Sequence, residues 1–286
     1  MISIIISSQN SSMLDSVKKN VRETIGVPFE VIGMANSGGA MSISKAYNLA
    51  GRQGKFDILC FMHEDLRIHT ENWGVFLQKI LQDRSIGLVG IAGSISRADF
   101  PTLWGSHEPH LRTRLIQHDQ HGVPGYIEFN PKQETLADVG MVDGCWMACR
   151  REVWENHPFD EETFKGFHLY DEDFSFQISG SLRVCVTFEI LVEHFSPGRY
   201  SREWFAAAEI FHRKWKHRLP VLMAGVDRKE LMLVRQSAFE VLRSRLLGAG
   251  YSRKELALTA IRYPQIMRQY LGSTVSRAYS KRKKAS

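Results

Sequence analysis

No run of 18 apolar residues occurs in the chain, so no membrane-spanning helix is expected. The start, Met-Ile-Ser-Ile-Ile-Ile-Ser-Ser, lacks the basic flank and small-residue cleavage site of a secretory leader. It reads instead as a first strand. Cysteine is scarce: Cys60, Cys145, Cys149 and Cys185 form no Cys-x-x-Cys pair. Three of them sit in apolar stretches, which argues against a structural zinc site and for buried free thiols in a cytoplasmic protein. Neither the Gly-x-Gly-x-x-Gly dinucleotide fingerprint nor a phosphate loop ending in Gly-Lys-Ser/Thr is present. Net positive charge is missing from most of the chain. The net charge is +6, yet residues 1–250 hold 28 basic and 30 acidic groups, and residues 251–286 hold nine Lys and Arg against one acid. A nucleic-acid enzyme carries its basic groups on the working face, so nucleic acid is not an expected partner. What remains is an ordinary globular chain of 286 residues, 43% hydrophobic and 24% charged, long enough for an α/β domain with an appendage.

The stretch 56–69, Phe-Asp-Ile-Leu-Cys-Phe-Met-His-Glu-Asp-Leu-Arg-Ile-His, organises the rest. Its apolar run reads as a strand buried on both faces, and it ends in His63, Glu64 and Asp65. Ligands of open α/β sheets bind outside the carboxyl ends of strands. Two carboxylates and an imidazole there can hold a hard divalent cation and, through it, a phosphate; the plainer reading is a solvated surface turn. Upstream, 2–6 is a strand ending in Ser7, Ser8, Gln9 and Asn10, 11–25 a helix, and 29–34 a second strand. The loop Asn36-Ser37-Gly38-Gly39 either lets backbone N–H groups approach a phosphate or ribose or is a flexible turn. A helix over 42–50 completes an alternation of strand and helix that argues for a doubly wound, mostly parallel sheet.

Downstream, a helix is expected over 73–81 and a fourth strand over 86–92. The region 94–138 reads as a long loop of the functional or disordered kind. In it, Trp104 and Tyr126 either stack on a ligand or anchor local packing, and His107, His110, His118 and His121 show no metal-ligand spacing. Asp143-Gly144 lies within an apolar stretch. A second acidic centre follows at Asp171, Glu172 and Asp173, where the acids either serve chemistry or favour the first turn of a helix through its dipole. After a strand over 184–188 comes His194, read as a packed residue or as a third ligand.

Together these pieces resemble a known family. The ordered segments "FMHEDLRI", "VDGCWMACRREVW", "FDEETFKGFHLYDEDFSFQI" and "VEHFSPG" are similar to family-2-type glycosyltransferases of the GT-A fold, in the subgroup with His-Glu-Asp in place of Asp-x-Asp. The resemblance covers about residues 1–200. It implies that Glu64 and Asp65, with His63 in the first position, bind Mn²⁺ or Mg²⁺ and through it a nucleotide-diphospho-sugar. It implies that His194 completes the metal shell and that Asp173 is the catalytic base, with Glu172 and Asp171 beside it. Asp143 and Gly144 then flank the donor sugar, and Ser8, Asn36 and Ser37 lie near the nucleoside. The implied reaction is an inverting, metal-assisted transfer to a saccharide or lipid-linked acceptor, as in cell-surface polysaccharide biosynthesis. Two other readings stand beside it. A nucleotidyltransferase also gathers carboxylates at strand ends, but would carry a more basic Gly-rich loop. A non-catalytic nucleotide- or carbohydrate-binding module with a degenerate site would explain His63.

Residues 201–286 read as a helical region with a basic tail. Ser201 opens one helix, Asp227 a second, and Ser252-Arg253-Lys254-Glu255 is a capping box for a third. This region is expected either to pack on the catalytic domain or a second subunit, giving a homo-oligomer, or to touch the inner face of a membrane.

Overall fold

A computed structural model gives the fold, and residues 1–198 and 200–266 are described. The strands are β1 (Ile2–Ser8), β2 (Phe29–Ala35), β3 (Ile58–Met62), β4 (Leu66–Ile68), β5 (Ile86–Gly90), β6 (Ala92–Ser94), β7 (Ser96–Arg97), β8 (Leu111–His118), β9 (Pro124–Phe129), β10 (Leu136–Val139), β11 (Met141–Val142), β12 (Trp146–Arg150), β13 (Arg183–Thr187), β14 (Val192–His194) and β15 (Val221–Leu222). The α-helices are α1 (Ser11–Thr24), α2 (Ile43–Gln53), α3 (Trp73–Leu81), α4 (Arg151–Asn156), α5 (Tyr170–Ile178), α6 (Arg202–Trp215), α7 (Leu231–Gly248) and α8 (Arg253–Arg262). The described residues form two units: 1–95 with 108–198, and 96–107 with 200–266.

The larger sheet of the first unit has the order β10-β13-β5-β12-β3-β1-β2. β1 is a run of buried isoleucines because it lies between β2 and β3, parallel to both. β13 is parallel to β5. β12, in contrast, enters antiparallel between β3 and β5, and β10 is antiparallel to β13. The α/β class stands, but the sheet is mixed rather than mostly parallel. The residues of β12 are all buried, and an apolar run of that kind does not encode direction. The start of α1 is set by Asn10, whose side chain accepts from the backbone N–H groups of Ser12 and Met13 at 3.0 and 3.2 Å.

A second sheet, β11-β6-β8-β14-β4, takes up part of the region expected to be a loop. β9 folds back antiparallel on β8 through a turn in which Asp119 accepts from the N–H groups of His121 and Val123. Between β3 and β4 the chain passes from one sheet to the other, and His63, Glu64 and Asp65 form that corner. β14 lies between β8 and β4, pairing His194 with Gln117 on one side and Leu66 on the other.

Beneath the corner is an aromatic core. Phe61 of β3 packs edge-on to Phe159 at 4.9 Å, Phe159 against Phe174 at 4.3 Å, and Tyr47 against Tyr170 at 5.7 Å. Tyr170 and Phe174 belong to α5, so the same packing that fills the core fixes the first turn of that helix.

In the second unit, Ser201 caps α6 by accepting from the N–H of Trp204, and Trp204, Ala208 and Phe211 are buried. Asp227 caps a single 3₁₀ turn ahead of α7, and the Ser252–Glu255 capping box forms at the start of α8. The segment 96–107 is fastened to these helices. Arg235 donates twice to Asp99, at 2.8 and 2.6 Å, and the Arg97 guanidinium lies 4.3 Å from the Phe211 ring centre. Among the described residues no helix is long and apolar enough to cross a membrane. The tail Lys281-Arg282-Lys283-Lys284 lies outside the described residues.

Candidate functional site

His63, Asp65 and His194 converge at the corner between the two sheets, each with one ligand-type atom within 4.8 Å of the others. His63 Nδ1 lies 3.8 Å from Asp65 Oδ1, and His194 Nε2 lies 3.6 Å from Asp65 Oδ2. The corner is pinned by main-chain bonds: His63 N–H donates to Cys145 C=O, and Phe195 N–H donates to Asp65 C=O.

The proton on each imidazole follows from its second nitrogen. The Tyr170 hydroxyl donates its single proton to the Gly144 carbonyl at 3.1 Å. It therefore accepts from His63 Nε2–H at 2.9 Å, which leaves a lone pair on His63 Nδ1. The Gln117 amide NH₂ donates to the carbonyls of His118, His194 and Ser196. Its Oε1 is therefore turned toward His194 Nδ1, 3.2 Å away, and accepts that proton. His194 Nε2 is then a buried lone pair with no hydrogen-bond partner among the described residues. Two lone pairs and a carboxylate facing one another repel unless a cation lies among them. The three ligand-type atoms lie within 4.8 Å of one another, wider than the spacing of ligands on one ion, so side chains would draw in around a bound cation. The donor set fits a divalent cation. Burial, then the neighbouring His194, holds the His63 imidazole below its ordinary value and so keeps its lone pair available.

Glu64 takes no place in this cluster. Its carboxylate accepts from the Ser8 hydroxyl at 2.6 Å and from the N–H groups of Gln9 and Asn10 at 3.0 and 3.1 Å, so it ties β3 to the end of β1. Ser8 is spent on the same bond. Asn36 closes its own loop, accepting from Met41 N–H and donating to Met41 C=O and Ser7 Oγ. Ser37 is exposed, and Gly38 and Gly39 sit at φ 68° and 67°, a left-handed backbone that accounts for both glycines without a ligand. On the other face of β14, Glu193 meets the imidazoles of His69 and His118 at 2.9 Å each. Tyr126 bonds with Arg114 and Glu128 on the β8–β9 hairpin, and His107 with Ser237 in the second unit.

Asp143 and Gly144 lie against the first turn of α5. Gly144 N–H donates to Asp171 Oδ2 at 2.8 Å while its carbonyl accepts from Tyr170. Burial, reinforced by the charge of Asp143 and then of Glu172, pushes the Asp171 carboxyl up to about 8. Asp173 is 1% exposed and accepts from Gln177 at 2.9 Å. Two residues along a helix turn a side chain by about 200°, so Asp171 and Asp173 cannot share a face. Asp171 meets Gly144, and Asp173 meets Gln177. Glu172 is buried. Tyr170 and Gln117, which orient the two imidazoles, carry no motif; the one signal for Tyr170 is its position ahead of the three acids.

A side chain at position 144 has no room. A Cβ there would lie 2.6 Å from Tyr170 Cζ and 2.8 Å from Asp171 Cβ. Gly144→Ala is expected to cost about 1–3 kcal/mol, lowering the calorimetric Tm by roughly 2–4 °C per kcal/mol, and to displace both side chains together. A variant with unchanged Tm would show that this close approach relaxes freely.

The sequence model of the glycosyltransferase-like family matches residues 3–200. No curated protein is significantly similar in sequence. Among solved structures, the chain is similar to the mannosyltransferase PcManGT of Pyrobaculum calidifontis, in complex with GDP-Man and Mn²⁺. The TM-score is 0.50 at 14% identity, over 98% of this chain and 86% of that one. GalNAc-T7, with UDP, GalNAc and Mn²⁺, gives 0.47 at 12% identity, over 68% of this chain but only 43% of its own length. Residues 1–349 of S. aureus TarS, in complex with UDP, give 0.48 at 14% identity, over 88% and 73%. At 14% identity the likeness to PcManGT shows the fold alone. The family model spans more than half of the chain, and with the mixed α/β architecture it leads to one conclusion: this chain belongs to the glycosyltransferase-like family, with a GT-A-type fold.

Proposed function

We propose that this chain is an inverting glycosyltransferase that moves a sugar from a nucleotide-diphospho-sugar to a hydroxyl of a saccharide or lipid-linked acceptor. Residues 1–200 carry the chemistry, and His63, Asp65 and His194 hold a divalent cation, Mn²⁺ or Mg²⁺. Bound there, the cation supplies positive charge for the leaving diphosphate. Asp171 takes the proton of the acceptor hydroxyl as its oxygen forms a bond to the anomeric carbon. The bond from that carbon to the phosphate oxygen breaks, and its electron pair leaves with the nucleoside diphosphate.

One observation carries the reading. A chain of bonds links the cation-type cluster to the raised carboxyl: His63 to Tyr170, Tyr170 to Gly144 C=O, and Gly144 N–H to Asp171, at 2.9, 3.1 and 2.8 Å. On this reading one end of the connection holds the charge for the leaving group and the other the base for the hydroxyl.

The test is thermal shift with UDP, GDP and CDP, each with and without Mn²⁺. At least one nucleoside diphosphate is expected to raise Tm only with the metal present, and the matching nucleotide sugars then to be hydrolysed or transferred. Stabilisation by free sugars alone would replace the enzyme reading with that of a binding module. For the C-terminal region, exposed Leu258 and Ile261 beside Arg253, Lys254 and Arg262 on α8 support contact with an anionic membrane surface. Sedimentation with anionic vesicles at low salt is expected to carry the protein down, and no binding would remove that part of the proposal.

A further inference from the structure

We propose that the outer face of the second sheet is a binding site for a neutral oligosaccharide, separate from the cation corner. The inference rests on the glycosyl-transfer reading only in identifying that chain with the acceptor. Strand pairing gathers the residues. Tyr126 lies opposite Ile116, Ile116 opposite Glu193, and Glu193 opposite Arg67. Directly opposed residues share a face of a sheet, and residues two apart along a strand return to it. His118, His69 and Phe195 therefore join them, while His194 and Gln117 belong to the reverse face. The contacts agree. His69 and His118 each meet Glu193 at 2.9 Å, and the His118 and Phe195 rings are 4.8 Å apart. The Arg67 guanidinium lies 5.9 Å from the Phe195 ring centre.

Two aromatic rings stay open on this face, Tyr126 at 57% and Phe195 at 39% exposure. Strand spacing and rise put them about 12 Å apart, more than one sugar ring spans. The C–H face of a pyranose is apolar and packs on an aromatic ring, while each of its hydroxyls both donates and accepts. The groups between the two rings answer both needs. Glu193 accepts from the Nε2–H of both imidazoles, which leaves each Nδ1 an acceptor, and the Arg67 guanidinium is a donor. The Tyr126 hydroxyl is held by Arg114 and Glu128, so its ring is fixed before a ligand arrives. The four fixed charges here cancel, Arg67 and Arg114 against Glu193 and Glu128. Nucleic acid and anionic membranes call for an excess of Lys and Arg, and a protein partner would have to bury these charges at the centre of its interface. A neutral, hydroxyl-rich chain meets neither cost.

The test is binding to the full chain without any donor, by saturation-transfer NMR and calorimetry, with malto-, cello-, chito-, manno- and xylohexaose as probes. At least one hexasaccharide is expected to bind, with a Kd at least about tenfold below that of its monosaccharide, because two rings are engaged together. Tyr126→Ala and Phe195→Ala are each expected to weaken that binding about 3–10-fold with unaltered circular dichroism. Tyr126→Phe keeps the ring and is expected to bind as the wild type does. Val75→Ala removes an exposed apolar side chain of α3 and is the control, expected to leave binding unchanged. Binding by none of the five, a monosaccharide that binds as tightly as its hexasaccharide, or binding indifferent to both alanine variants would each overturn the proposal. A metal-dependent response to nucleoside diphosphates in a protein that binds no hexasaccharide would remove this site and leave the glycosyl-transfer reading standing. Hexasaccharide binding without transfer from any nucleotide sugar would instead count against the glycosyl-transfer reading alone.

Discussion

Asp171→Asn is expected to lower kcat by about 10²–10⁴-fold while leaving the Kd for metal and nucleoside diphosphate within about threefold. The substitution keeps the size of the side chain and an oxygen for Gly144 N–H, and removes only the capacity to take a proton. Its signature extends to pH. A base whose carboxyl lies near 8 in the free protein gives an activity that rises with pH toward that value, and the Asn variant loses this limb. The sign of the stability effect follows from the same shift. The folded value, about 8, lies above the ordinary 3.8, so the folded state holds this proton more tightly than the unfolded chain. The stabilisation is complete below about pH 4 and is lost as pH rises through 8. Asp171→Asn is therefore expected to raise Tm relative to wild type at pH 8–9, an advantage that fades toward pH 4. Asp173→Asn is the control. Buried against Gln177, it is expected to lower Tm and leave the pH limb in place. If Asp173→Asn abolishes turnover while Asp171→Asn does not, the base is Asp173, as the sequence resemblance implies.

The choice between Asp171 and Asp173 turns on what the sequence leaves open. The apolar runs of β1 and β3 are readable because strands buried on both faces lack alternation, and the corner His63-Glu64-Asp65 is readable because it ends such a run. Three features are not readable. Adjacent residues in a turn point in unrelated directions, so nothing in His-Glu-Asp tells that Glu64 swings back to β1 while Asp65 faces His194. Asp171, Glu172 and Asp173 are alike in type, and only the helix register selects which one meets Gly144. Gln117 lies in β8, whose mixture of charged and apolar residues resembles a loop although it is an interior strand of the second sheet. Its value comes from the parallel pairing with β14, a contact between residues 77 positions apart.

Asp65→Asn and Glu64→Gln are expected to separate two neighbours that the sequence presents as a pair. Asp65 has both imidazoles at 3.6–3.8 Å, with their lone pairs rather than protons turned toward it. Without a cation its charge there gains little, so Asp65→Asn is expected to leave the metal-free Tm close to wild type. What it removes is the carboxylate that joins the two histidines in binding a metal. Ligand at 100 times its Kd stabilises by about 2.7 kcal/mol, a Tm rise of roughly 5–10 °C for a protein of this size. Asp65→Asn is expected to abolish that metal-dependent rise, and turnover with it. Glu64→Gln should do the converse. Its carboxylate holds one hydroxyl and two backbone N–H groups at the end of β1, bonds to a charged acceptor worth about 1.5–3 kcal/mol each before exposure is discounted. The amide is expected to lower the metal-free Tm by several degrees and to retain most of the metal-dependent increment. If Glu64→Gln instead loses the increment and Asp65→Asn keeps it, Glu64 turns into the site when ligand binds and the cation centre must be redrawn around it.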